Sequence, residues 1–129
     1  MSRVFLDSSA LLAFIFNEAG AQVVAEHMDA DAAISAVNWS EVAQKIASKG
    51  KHPERLGDWV LALGPQVEPF DQVGAYAAAA LYPETARFGL SLGDRACLTL
   101  AMLWKVPVLT ADRTWAEIPG IGIDVKLIR

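Results

Sequence analysis

Val4-Phe5-Leu6-Asp7-Ser8-Ser9, close to the start of the chain, is a short apolar run that ends on a carboxylate. Val108-Leu109-Thr110-Ala111-Asp112 repeats the pattern near the other end. An ionised side chain at the tip of a buried strand is costly unless something cationic meets it. Two further acids stand where helices should begin: Glu41 after Asn38-Trp39-Ser40, and Asp94 after Ser91-Leu92-Gly93. None of the four lies in a charged surface stretch. Carboxylates gathered at one place repel, and the usual resolution is a hard divalent cation with oxygen ligands. Such a group points to metal-dependent chemistry, with phosphodiester hydrolysis as the first candidate.

Working outward, strand and helix signals alternate, as in a βαβ architecture around a parallel sheet. Strands are predicted over 3–6, 32–35, 67–70, 106–110 and 121–127, and helices over 9–16, 19–28, 39–48, 56–63, 71–81 and 95–104. Gly50 suits a helix stop, as does Gly64-Pro65, and Pro69 puts its strand near a sheet edge. Ile121, Ile123, Val125 and Leu127 alternate with Gly122, Asp124 and Lys126, the period of a half-exposed strand. In an open parallel sheet the functional crevice lies beyond the carboxyl ends of the strands. Asp7 and Asp112 sit at two such ends, and helices opened by Glu41 and Asp94 start on the same side. The competing reading is structural. Glu41 follows Asn38 by three residues and Asp94 follows Ser91 by three, the spacing of a capping box, while Asp7 and Asp112 fit turn or helix caps.

At 129 residues the chain is read as one domain, 1–129, with room for a substantial core. It is 53% hydrophobic, yet no uninterrupted apolar run, that at 10–16 included, approaches the length of a membrane span. No basic segment and cleavage site marks a signal peptide, and the lone Cys97 excludes an internal disulfide; a cytoplasmic protein is expected. Leu11, Leu12, Phe14, Ile15 and Phe16 crowd more apolar surface around one short helix than one sheet can hide, which implies a partner or a second copy. The net charge of −4 argues against nucleic acid at first sight. Its distribution tempers that, because Lys45 and Lys49 follow Glu41 at successive helical turns, and Lys51, His52 and Arg55 extend the stretch. A solvated helix end is the plain alternative. His27 and His52 lack metal-ligand spacing, no glycine-rich phosphate loop is present, and the four tryptophans read mainly as packing.

Four segments, taken in order, resemble a PIN-domain protein, and more narrowly the VapC-type toxins of bacterial type II toxin–antitoxin pairs. They are Val4-Phe5-Leu6-Asp7-Ser8-Ser9, Asn38-Trp39-Ser40-Glu41-Val42, Leu90-Ser91-Leu92-Gly93-Asp94-Arg95-Ala96-Cys97-Leu98 and Leu109-Thr110-Ala111-Asp112. The resemblance implies a three-layer α/β/α fold, with a central parallel sheet of four or five short strands flanked by helices. It implies a Mg²⁺- or Mn²⁺-dependent ribonuclease that hydrolyses RNA phosphodiesters, forms a homodimer and binds a small antitoxin. Asp7, Glu41, Asp94 and Asp112 match the acidic metal site, and Ser8 and Thr110 match hydroxyl positions beside it. Asp7 and Asp94 would be ligands, Glu41 a ligand or a base that orients the attacking water, and Asp112 a ligand to a second ion or a group acting through water. Arg95 would meet either phosphate or an acid. Two other classes stay open: a non-catalytic interaction module whose acids are caps, and another acid-rich α/β phosphohydrolase. Asp7-Ser8-Ser9 lacks the second acid two residues on that an aspartyl phosphatase needs.

Overall fold

The computed structural model describes residues 3–129. Five strands form one sheet: β1 (Val4–Leu6), β2 (Ala32–Ser35), β3 (Gln66–Glu68), β4 (Val108–Thr110) and β5 (Val125–Leu127). Their order is β3-β2-β1-β4-β5, and every neighbouring pair is parallel. Parallel neighbours require crossovers, and helices supply them. Helices α1 (Ser8–Ile15) and α2 (Ala21–Ala25) join β1 to β2, and α3 (Ala36–Ser48) and α4 (Pro53–Ala62) join β2 to β3. Helices α5 (Gln72–Ala80), α6 (Tyr82–Thr85) and α7 (Leu92–Trp104) lead to β4, with a 3-10 turn at Ala86–Phe88, and a second 3-10 turn at Arg113–Glu117 precedes β5.

Strand periodicity splits the interior into two cores. Val4, Leu6 and Ile34 face Leu11, Val24, Val42, Ile46 and Val60, from α1 to α4. Phe5, Ala33 and Val108 face the opposite way, onto Leu98, Leu100 and Ala101 of α7 and onto Trp115. Phe5 also meets Trp104 edge-on, ring centroids 5.2 Å apart at 84°. The result is the expected three-layer α/β/α arrangement. The chain runs outward from β1 to β2 and β3, then returns to place β4 on the other side of β1. That reversal opens a crevice at the carboxyl ends of β1 and β4.

Several boundaries differ from the sequence reading for local reasons. The second helix spans only Ala21–Ala25, because Gly20 turns the chain at φ 95° just ahead of it. A side chain there would also collide with the Ile128 carbonyl, 2.6 Å from an added Cβ, so the position needs glycine twice over. Helix α4 starts early, at Pro53, since His52 caps it by accepting from the Arg55 amide at 3.2 Å and proline suits the first helical position. Strand β3 ends before Pro69 and does lie at a sheet edge. Only Val125–Leu127 of the alternating tail pairs with the sheet, because Gly122 at φ 71° breaks the extended run. Pro83 opens α6 instead of merely closing α5, as its place in a first turn allows.

Leu98 is fully buried between α7 and the sheet, whereas Leu103 on the same helix is 51% exposed. Urea unfolding should therefore show Leu98→Ala losing about 2–5 kcal/mol through transfer and cavity costs. Leu103→Ala should stay within about 0.5 kcal/mol of the parent.

Candidate active site

Asp7 follows β1 and occupies the N-cap position of α1, but its side chain caps nothing. Its Oδ2 instead accepts from Ser9 Oγ at 2.6 Å and from Thr110 Oγ1 at 2.8 Å, across the crevice. Those hydroxyls are themselves held. Ser9 Oγ accepts from the Ala111 amide at 3.0 Å, and Thr110 Oγ1 accepts from the Asp112 amide at 3.0 Å. Asp7 is 4% exposed. Burial pushes its carboxyl up to about 6; the two hydroxyls pull it back and the charge of Asp94 pushes it further up. No Lys or Arg meets it: the ion pair among the described residues joins Arg129 to Glu18, at 3.8 Å.

Glu41 stands on different ground from the capping-box reading. The cap of α3 is Ser35, whose Oγ accepts from the Asn38 amide at 3.0 Å, so Asn38 lies inside the first turn and Glu41 beyond it. Asn38 is fully buried and acts through its side chain. Its Nδ2 donates to Glu41 Oε1 at 3.1 Å and to the Gly93 carbonyl at 3.0 Å, and its Oδ1 accepts from the Ser35 hydroxyl. Ser8 Oγ donates to the same Glu41 Oε1 at 2.5 Å. Oε2 has no protein donor among the described residues.

Asp94 does form the capping box. Ser91 Oγ accepts from the Asp94 amide at 3.2 Å, and Asp94 Oδ2 accepts from the Ser91 amide at 3.0 Å. Its carboxyl is raised, first by burial and then by Glu41 and Asp112, while the Ser91 hydrogen bonds lower it. Asp112 caps the 3-10 turn that follows it, accepting from the Thr114 amide at 2.9 Å. Asp94 thus feels the charge of each of the other three acids. They share one edge of the sheet and one electrostatic field, but each carboxylate turns to its own donors. Among the described residues no three acidic, His or Cys side chains close around a common point. The donor set still fits a hard divalent cation in kind: it is all oxygen, and it includes a buried carboxyl, Asp7, with no cationic partner among the described residues.

Of the other residues singled out in the sequence, Arg95 pairs with no acid. Its Nη1 donates to the Ala78 carbonyl at 3.0 Å and its guanidinium lies over the Tyr82 ring, 5.5 Å from the centroid. Lys45 is exposed, and Lys49 Nζ sits 5.1 Å from the centre of the Phe16 ring. Cys97 is buried behind the acids, and burial together with their charge pushes its thiol well up, an inert state. The sequence reading assigned supporting roles to Ser8 and Thr110 but passed over Ser9, Asn38 and Gly93. Asn38 carried a usable signal, since three residues before Glu41 on a helix places both on one face.

Because the Asp7 carboxyl rises from the usual 3.8 to about 6, the folded chain binds that proton more tightly than the unfolded chain. The stability it contributes is complete below pH ~4 and is lost as pH climbs through ~6, a difference of about 3 kcal/mol. Urea melts in EDTA at these pH values, run beside Asp7→Asn, should show that component only in the parent. Parallel pH profiles for the two proteins would contradict it.

The family model for the PIN domain matches residues 4–121. A comparison with curated protein sequences finds no match. Among solved structures the chain is similar to a toxin–antitoxin complex from Klebsiella pneumoniae, at 23% identity and a TM-score of 0.74, over 99% of this chain and 98% of that one. It is also similar to DNA-bound VapBC from Salmonella typhimurium, at 21% identity and a TM-score of 0.72 over 100% of both chains. DNA-bound VapBC2 from Rickettsia felis gives 15% identity and a TM-score of 0.68, over 96% of this chain and 97% of that one. At such identities the solved structures speak for the fold, and the family match, which takes in Asp7, Glu41, Asp94 and Asp112, speaks for the lineage: this chain belongs to the PIN domain family.

Proposed function

We propose that this PIN domain is a metal-dependent endoribonuclease and the toxin of a type II toxin–antitoxin pair. The observation that carries the reading is Asp7, a buried carboxyl at the reversal of the sheet with no protein cation beside it, in the field of Asp94. A Mg²⁺ or Mn²⁺ ion held there by Asp7 and Asp94 would lower the pKa of the attacking water and offset charge developing on the phosphodiester. The chain's own contribution is orientation. Thr110 and Ser9 fix the Asp7 carboxyl, and the Ser91 amide holds one Asp94 oxygen while the other remains available. Glu41 offers Oε2 either as a further ligand or to accept a proton from the water, and Asp112 serves a second ion or acts through water.

One observation favours the rival reading of a non-catalytic module: Asp94 does close a capping box. Asp94→Asn separates the two, because asparagine keeps an oxygen for the Ser91 amide but loses the charge. Stability in EDTA should change by less than ~0.5 kcal/mol. Cleavage of total RNA in Mg²⁺ should vanish, as it should with Asp7→Asn. Continued cleavage by either variant would remove these acids from the chemistry.

Partners follow from the apolar surface and from relatives described as toxin–antitoxin complexes. On α1 and at its C-cap, Leu12, Phe14, Ile15 and Phe16 are only partly buried. Phe14 stacks on Trp59 of α4 at 5.9 Å, and Trp59 is 50% exposed. Trp39 and Ala43 of α3 and Pro53 and Leu61 of α4 line a separate hollow, with Glu54 and Asp58 beside them. This surface suits an amphipathic antitoxin segment that brings basic residues. Val73, Tyr76 and Tyr82 form separate exposed apolar surface on α5 and α6, suited to a homodimer. No helix among the described residues is long and apolar enough to cross a membrane, and a cytoplasmic setting belongs to the same proposal.

RNA would approach along Lys45 in the last turn of α3 and Lys49 at its C-cap, exposed cations beyond Glu41. Neutralising both should lower the salt slope of RNA binding by ~1.4, two contacts at the single-strand value. Mn²⁺ affinity should be spared. An unchanged slope would mean that the two lysines are only a solvated helix face.

A further inference from the structure

The structure assigns a positioning role to Asn38 and Gly93, two residues that touch the Glu41 carboxylate from opposite elements. We infer that together they set where Glu41 presents its free oxygen. The inference rests on the nuclease reading only for what Glu41 then does.

Asn38 lies wholly out of water, and a buried carboxamide is tolerated only when its hydrogen bonds are met. Here they are met by functional neighbours. Nδ2 binds Glu41 Oε1 and the Gly93 carbonyl and lies 3.2 Å from Ser8 Oγ, and Oδ1 takes the Ser35 hydroxyl. One side chain therefore ties α1, α3 and the first turn of α7 to a single carboxylate oxygen. Ser8 and Asn38 both bind Oε1, which aims Oε2 away from the protein donors.

Gly93 acts by what it lacks. A Cβ built on it would fall far inside contact distance of Oε1, Oε2 and Cδ of Glu41. The carboxylate fills the space that any other residue would occupy, one position before Asp94. Glycine in a helix costs roughly 0.5–1 kcal/mol relative to alanine, and no positive φ demands it here. What it permits is the approach of Glu41 to the start of α7. The obstacle at Gly93 is the end of a flexible side chain, so an added methyl would displace Glu41 and leave the fold intact.

A four-protein cycle of parent, Gly93→Ala, Glu41→Ala and the double variant, with Asn38→Ala made in the parent and in Glu41→Ala, tests this. Melting temperatures are taken in EDTA, and Mn²⁺ affinity by titration calorimetry. In the Glu41→Ala background Gly93→Ala should raise the melting temperature, as helix propensity dictates. In the parent background that gain should disappear or reverse, because Glu41 loses its bonds to Ser8 and Asn38. Mn²⁺ affinity should fall about tenfold or more on Gly93→Ala, and likewise on Asn38→Ala. Neither change should lower it further once Glu41 is alanine. Equal melting shifts in both backgrounds, or Mn²⁺ affinity untouched by Gly93→Ala, would overturn the assignment. If Gly93→Ala fails to fold, the double variant must fold, or the assignment also falls. A parent that binds no Mn²⁺ would defeat the nuclease reading, and the melting cycle would still decide the Glu41 contact.

Discussion

Asp7 is the constraint around which the rest is arranged. A carboxyl buried at the end of the central strand is unfavourable, and burial, with the charge of Asp94 behind it, outweighs the hydroxyls bound to it and pushes it up to about 6. Those hydroxyls do more than solvate a charge. Ser9 sits in the first turn of α1 and Thr110 ends β4, and each also accepts a backbone amide from the segment after β4. With the Asp7 amide donating to the Leu109 carbonyl at 2.9 Å, they lock the ends of two adjacent parallel strands together. The crevice keeps its shape because the polar groups that close it are mutually satisfied.

Much of this was legible in the sequence, and the reasons differ from place to place. The alternation of Val4, Phe5 and Leu6 between two cores follows from strand period alone, as do the positions of Asp7 and Asp112 at strand tips. The arrangement around Glu41 was misread because two local patterns overlap. Ser35 to Asn38 and Asn38 to Glu41 have the same spacing, so with the strand ending at Ser35 either residue could have capped the helix, and the helix in fact starts directly after the strand. With Ser35 as the cap, Asn38 is inside the helix and its carboxamide is free to bind Ser8 and Glu41. No local rule reveals that its partner would be the carbonyl of Gly93, 55 residues further on. Arg95 was equally opaque. Adjacency to Asp94 suggested a common task, but neighbours on a helix point about 100° apart, and Arg95 packs on Tyr82 instead.

The hydrophobic surplus was legible in amount and only partly in place. Of the side chains around α1 that looked too numerous to hide, Leu11 is fully buried, and Leu12, Phe14, Ile15 and Phe16 are partly buried against the same core. The more exposed apolar residues lie elsewhere: Trp59 on α4, Tyr76 on α5 and Leu103 on α7. A pattern of apolar residues says which face of a helix seeks cover, but the crossing of neighbouring helices decides how much of it is found.

Asp94 shows why a structural cap and a functional carboxylate are not alternatives. The cap consumes a single oxygen, Oδ2, and the backbone amide it binds is one that any helix start must satisfy. The other oxygen remains, beside an N-terminus whose partial positive charge favours the ionised form. Glu41 and Asp112 push the opposite way. The carboxyl is held in place by the first effect and left short of compensation by the second. A helix start therefore suits an acid that must be both immobile and ready for a cation, since the geometry that orients one oxygen leaves the other free.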